Sequence, residues 1–179
     1  TRPDLPDISR DLFPIVERGL YKQIYPHISK FRDLVEIAWS KATVKEDLKA
    51  DPETGRFKAL GQCAVTARLL RDELSAIVPD KALTNVLGKV YRPDGTLIAG
   101  RHAWVETQDE NGVFVIDVTA DQREGLGEHA SRVVMGYKDD LQKLGYSYKV
   151  DREDDDETMK QRGSFERYIR LKKRFEYVK

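Results

Sequence analysis

Three short stretches carry residue types able to make and break a covalent bond: GQCAVTA at 61–67, GRHAWVET at 100–107 and VFVIDVTADQ at 113–122. Cys63 is the single cysteine of the chain. A thiol becomes a useful nucleophile as its thiolate, and two devices stabilise a thiolate at neutral pH: the N-terminus of a helix and an adjacent imidazolium. Cys63 has the first if the run CAVTARLL opens a helix just after Gly61. His102 supplies the second if its strand faces that helix end, and Asp117 would accept from the other ring nitrogen, fixing tautomer and orientation. The chemistry implied is attack of a thiolate on an acyl carbon. Each residue also has a plainer reading, with Cys63 as a small core residue, His102 as a hydrogen-bonded sheet histidine and Asp117 as a strand-end cap.

The elements that must position these groups follow from periodicity. From Leu5 to about Lys49 apolar residues recur at helical spacing, with Ile28, Phe31, Leu34, Val35, Ala38 and Trp39 on one face. Pro14 and Pro26 predict a break of this region into short helices, and Ser40 and Thr43 fit a helix end. The stretch 49–61 mixes Asp, Pro, Gly and charge and reads as a surface loop. CAVTARLLRDEL places Val65, Leu69, Leu70 and Leu74 along one side, predicting a buried helix. After Pro79 the period shortens towards two over TNVLGKVYR, TLIAGRHAWVET and VFVIDVT, which predicts three strands in an antiparallel meander. Beyond Gln122 the pattern gives a loop at GLGEHAS, a short helix at YKDDLQKLG, a strand at YSYKV, and a charged C-terminal helix interrupted by Gly163. The acidic REDDDE reads as a solvated loop or a helix start. The expected fold class is α+β in a single domain over 1–179: a helical part to 49, a core over 61–125 and a C-terminal extension over 126–179.

Strand parity constrains the triad. Facing residues in an antiparallel pair have numbers with a constant sum, and one face keeps one parity. A tight Asn111-Gly112 turn sets that sum at 223, places Asp117 opposite Glu106, and leaves His102 about 13 Å away along the strand. A four-residue loop over 108–111 sets it at 219 and puts His102 directly opposite Asp117. The face is the same in both, and the triad requires the longer loop or an equivalent bulge.

Composition excludes several classes. Lys plus Arg and Asp plus Glu both number 31, so no net field recruits nucleic acid or an anionic membrane surface. No apolar run approaches the roughly 20 residues of a membrane span, and TRPDLPDISR has no apolar signal core, so a soluble, cytoplasmic protein is expected. One cysteine excludes an internal disulfide, and His27, His102 and His129 form no metal pattern; His27 and His129 read as surface residues. No metal or cofactor is expected, although Cys63, His102 and Asp117 as zinc ligands form a third, weaker idea.

The order Cys at a helix start, His-Ala-Trp-Val-Glu on a strand and Ile-Asp-Val-Thr on the next, with separations of 39 (102 − 63) and 15 (117 − 102), resembles the transglutaminase-like branch of the papain-like cysteine hydrolase fold. The chain is more closely similar to the YunG-like family of small bacterial proteins. The matching features are Trp39-Ser40 with Thr43, Gly-Gln-Cys-Ala-Val-Thr-Ala, His102 with Trp104, and Asp117, Thr119 and Gln122 as Asp-x-Thr-x-x-Gln, over roughly residues 30–125. The resemblance implies N-terminal helices and a cysteine-bearing helix packed on an antiparallel sheet. It implies a Cys63-His102-Asp117 triad acting on an amide or ester through a thioester, with His102 protonating the leaving amine. The Cys63 backbone amide would form part of an oxyanion hole. Gln62 adjoins the nucleophile, whereas papain's oxyanion glutamine lies several residues earlier, so that role does not transfer directly. Gln62, Trp39, Trp104, Thr119 and Gln122 are candidate substrate-pocket or supporting residues. The expected substrate is a peptide or protein, in a peptidase, isopeptidase, deamidase or transglutaminase reaction; the alternative is a catalytically silent interaction module of the same fold.

Overall fold

A computed structural model describes residues 18–40, 42–44, 61–120 and 133–179. Among these residues five helices pack with one five-stranded antiparallel sheet, an α+β arrangement. Helix α1 spans Leu20–Ala38 and α2 spans Cys63–Ile77. Strands β1 (Thr84–Tyr91), β2 (Leu97–Asp109) and β3 (Gly112–Asp117) form the meander, and β4 (Val134–Tyr137), α3 (Lys138–Lys143) and β5 (Ser147–Glu153) follow. The chain ends in α4 (Asp156–Gln161) and α5 (Ser164–Val178). The strand order β4-β3-β2-β1-β5 puts the last two strands on opposite edges, so the link carrying α3 crosses the whole sheet.

Helix α1 buries Ile24, Ile28, Phe31 and Val35. Pro26 lies inside it rather than breaking it. A proline removes the hydrogen bond to the carbonyl four residues back, here Lys22. Both residues are exposed, so water serves that carbonyl while the apolar face holds the helix straight through. Pro14 lies outside the described residues. The helix ends as expected near Ser40: Thr43 Oγ1 accepts from the Ser40 N–H and donates to the Ser40 carbonyl, both at 2.9 Å. In α2 the buried positions are those that periodicity names, Val65, Leu69, Leu70 and Leu74, with Ala64, Thr66 and Ala67.

Helix α2 packs on β1 and β2, and α5 packs on both α1 and α2. Of the part expected as an extension, the described residues 133–179 therefore extend the sheet at both edges and close the helical layer. Gly163, at φ +70°, separates α4 from α5. The acidic run is a helix start: Asp155 caps α4 by accepting from the Thr158 N–H at 2.8 Å. Strand β4 has no counterpart in the sequence reading. All four of its residues are buried, so it shows no alternation to reveal it.

Gly88 on β1 is required by close approach. A Cβ there would lie 2.0 Å from the Lys149 carbonyl oxygen on β5 and 2.5 Å from Cη2 of Trp104. Gly88→Ala is expected to cost about 2–3 kcal/mol and lower Tm by roughly 5–10 °C in a thermal melt, because the nearer obstacle is backbone and cannot rotate away.

Candidate functional site

The backbone turns into α2 at Gly61, which takes φ +75°. Gln62 is the N-cap, and its carbonyl accepts the first helical bond, from the Thr66 N–H at 3.0 Å. Cys63 is thus the first helical residue, where backbone N–H groups lack intrahelical partners. Trp39, just past the end of α1, donates from Nε1 to Thr66 Oγ1 at 2.9 Å and so ties the two helices one turn beyond the sulfur. Cys63 as a residue is half-buried, and its thiol is buried where it packs against the core.

Strand β2 delivers His102 through a bulge. Gly88 pairs with His102 and Val90 with Ala99, so Gly100 and Arg101 together face Lys89. Arg101 takes φ +52°, a left-handed conformation uncommon for a residue with a Cβ. A bulge bends its strand and re-aims the neighbouring side chains, and this one immediately precedes His102.

The β2–β3 register corrects both expected ones. Val105 pairs with Ile116 and Asp109 with Gly112, a sum of 221. The connection is Glu110-Asn111. Its register is set by Asp109, whose Oδ1 accepts from the Asn111 N–H at 2.8 Å and whose Oδ2 accepts from the Tyr137 hydroxyl at 2.7 Å. Gly112, at φ +116°, opens β3 instead of sitting within the turn. Continuing the register sets Asp117 opposite Trp104, with His102 one diagonal step away on the same face. Diagonal neighbours are within reach of long side chains, and His102 Nε2 stands 2.6 Å from Asp117 Oδ2. Both residues are only 1% exposed, which excludes water from that bond.

The carboxylate is held on both oxygens. Oδ1 accepts from the Thr119 N–H at 3.1 Å and its hydroxyl at 3.5 Å, and Oδ2 accepts from the Tyr148 hydroxyl at 2.8 Å as well as facing the imidazole. With Nε2 engaged, Nδ1 is the nitrogen left to act on the Cys63 thiol, and the imidazole and the thiol each shift the other's pKa. Burial by itself pushes the Cys63 thiol up, but the hydrogen bond and charge of His102, with the Ala103 N–H, outweigh it and hold the thiol below its ordinary value. Burial disfavours the charged imidazole too, and the Asp117 carboxylate overrides it, raising His102 to about 10. The pair therefore favours thiolate and imidazolium at neutral pH. Burial, then the Asp117 charge, raises Tyr148 well above the ordinary phenol value, so its hydroxyl keeps its proton and donates.

Cys63, His102, Asp117 and Thr119 are thus brought together. Trp104 joins them: its ring lies 5.9 Å from the imidazole and makes an edge contact with Tyr148 at 5.0 Å, while Nε1 donates to Glu106 at 2.9 Å. Gln62 is fully buried; Nε2 reaches the Ser40 carbonyl at 3.5 Å, and Oε1 has no partner among the described residues. Trp39 bonds to Thr66 and carries the Arg32 guanidinium over its ring at 4.8 Å. Gln122 and His129 lie outside the described residues, and His27 is exposed. Two participants are absent from the sequence reading. Tyr148 comes from β5 at the sheet edge, and nothing local in YSYKV marks it. Arg32, which is fully buried, donates from Nη1 to the Val118 carbonyl at 2.7 Å, directly after Asp117; a lone arginine on an apolar helix face is the signal that points to it.

Among the described residues no group of three or more His, Cys, Asp or Glu side chains is arranged to hold a metal ion. No helix of the described residues is long and apolar enough to cross a membrane. No family model, curated protein or solved structure matches the chain.

Proposed function

We propose that this protein is a thiol-dependent acyl-transfer enzyme acting on amide bonds of peptides or proteins, with a papain-like, transglutaminase-like division of labour among Cys63, His102 and Asp117. The observation that carries the reading is the series itself: the thiol of a half-buried residue at a helix start, held below its ordinary pKa by a buried imidazole whose far nitrogen is 2.6 Å from a buried carboxylate.

The Cys63 thiolate attacks the amide carbon, forming a C–S bond and moving charge onto the carbonyl oxygen. N–H groups of the first turn of α2, which have no intrahelical partner, that of Cys63 among them, stabilise this oxyanion. Collapse breaks the C–N bond as the proton on His102 Nδ1 passes to the leaving amine, and a thioester remains. Neutral His102 then removes a proton from water or an acceptor amine, whose attack breaks the C–S bond and restores thiolate and imidazolium. Water as acceptor gives hydrolysis; an amine gives transamidation. Asp117 holds the ring with Nδ1 towards sulfur and stabilises its charged form.

The test is alkylation of Cys63 followed by intact mass across pH, with neutral iodoacetamide and anionic iodoacetate in parallel. With one cysteine in the chain, every adduct reports this thiol. Fast labelling of the folded protein is expected well below the ordinary thiol pKa of about 8.5. Iodoacetate is attracted by the imidazolium, so its advantage should vanish as pH rises through about 10 and His102 loses its charge. Labelling that begins only on unfolding would overturn the enzyme reading in favour of a silent interaction module.

A further inference from the structure

Asp117 Oδ2 faces two buried groups at once, His102 Nε2 at 2.6 Å and the Tyr148 hydroxyl at 2.8 Å. Tyr148 lies on β5, and β2 and β1 separate that strand from β3. The side chain therefore reaches across the face of the sheet to arrive at this oxygen. Phenylalanine would fill the same space against Trp104, and burying a hydroxyl is costly unless it is paired. The hydroxyl has a role that packing does not explain. Thr119 already holds Oδ1 from the adjoining turn, so the Tyr148 bond fixes the remaining rotational freedom of the carboxylate.

From this geometry we infer that Tyr148 is a positioning residue for the His102–Asp117 pair: it locks the carboxylate with Oδ2 towards Nε2 and draws negative charge off that one oxygen. The inference deepens the acyl-transfer reading and takes its chemical meaning from it. The second effect matters because His102 must release its proton to the leaving amine and take one back within each cycle. An unshared Oδ2 would hold the imidazolium more tightly and slow that release. The titratable groups that bear on the arrangement are Cys63 from α2, Asp117 from β3 and, beside Tyr148, Tyr146.

The experiment is an NMR titration of the His102 imidazole in the full chain, assigned by its disappearance in His102→Gln, comparing the natural protein with Tyr148→Phe and with site-specific 3-fluorotyrosine at 148. Tyr148→Phe keeps the ring against Trp104 and is expected to raise the His102 pKa by about half a unit or more. The fluorinated ring, a stronger donor in the same space, is expected to lower it. Shifts of opposite sign are something a packing role cannot produce. An unchanged titration in both variants, or a fall in Tyr148→Phe, overturns the inference. Iodoacetamide labelling on the same samples separates the two ideas. A reactive Cys63 with an unresponsive His102 removes Tyr148 from its role and leaves the enzyme reading standing. An inert Cys63 with opposed His102 shifts removes the enzyme reading and leaves the Tyr148 contact as argued.

Discussion

His102→Ala is expected to slow iodoacetamide labelling of Cys63 at pH 6.5 at least about tenfold and to move the rise of the pH profile to about 8.5 or higher. In the folded protein burial works against the thiolate, and the imidazole, aided by the Ala103 N–H, overcomes it. Without the ring the burial cost remains and the compensation is gone. An ordinary thiol is only about 1% ionised two units below its pKa. The loss is less than a hundredfold because a thiolate of higher pKa is intrinsically more nucleophilic. Turnover of an amide substrate should fall further, by about 10³-fold or more, since the proton donor to the leaving amine is lost as well. Asp117→Asn should lie between the two proteins: the amide oxygen still accepts from Nε2, but the charge that raises His102 is gone. A labelling profile identical in all three proteins would show that Cys63 is reactive for reasons unconnected with the ring.

Arg32→Met is expected to cost about 3 kcal/mol, seen as a fall in Tm of roughly 10 °C. The guanidinium has no solvent exposure and stacks over Trp39. It donates to the Val118 carbonyl at 2.7 Å and to Glu36 Oε1 from Nε and Nη2 at 3.1 and 2.7 Å. Methionine fills the space but removes every donor that the guanidinium supplied to the Val118 carbonyl and to Glu36, and losing a buried partner costs more than the bond contributed. Arg32→Lys should recover little, since one ammonium cannot reproduce the planar fork. Arg32→Met combined with Glu36→Leu should recover part of the loss, because the half-buried carboxylate that lost the guanidinium charge is then absent. Equal stability of the single and double variants would refute this account of the pair. Val118 follows Asp117, so the alkylation profile of Arg32→Met should also broaden towards higher pH.

The two sets of residues behind these predictions differ in how far they can be read from the chain. Cys63, His102 and Asp117 are legible because each sits in a strongly patterned stretch: a helix start after Gly61, and two strands joined by Asp, Asn and Gly. The hydrophobic faces of α1 and α2 are legible for the same reason, as is the division of the C-terminal helix at Gly163. Strand β4 is hidden because burial on both sides erases alternation. Pro26 misleads because its effect on a helix depends on whether the freed carbonyl meets water, which is a property of the fold.

What the sequence alone determines here is the identity of three candidate side chains and the face on which two of them stand. Face is a matter of parity in a pleated strand, and parity is the same whether facing residues sum to 219, 221 or 223. Tertiary structure decided distance. Asp109, held by Tyr137 from β4, sets the register at 221, and the bulge at Gly100 and Arg101 immediately precedes His102. Tyr148 from the far edge of the sheet and Arg32 from α1 then secure Asp117 and the turn after it. Such partners are separated from Asp117 by 31 residues in one direction, and from Val118 by 86 in the other. No local pattern encodes their approach, because it is settled by the packing of the sheet and helices as a whole.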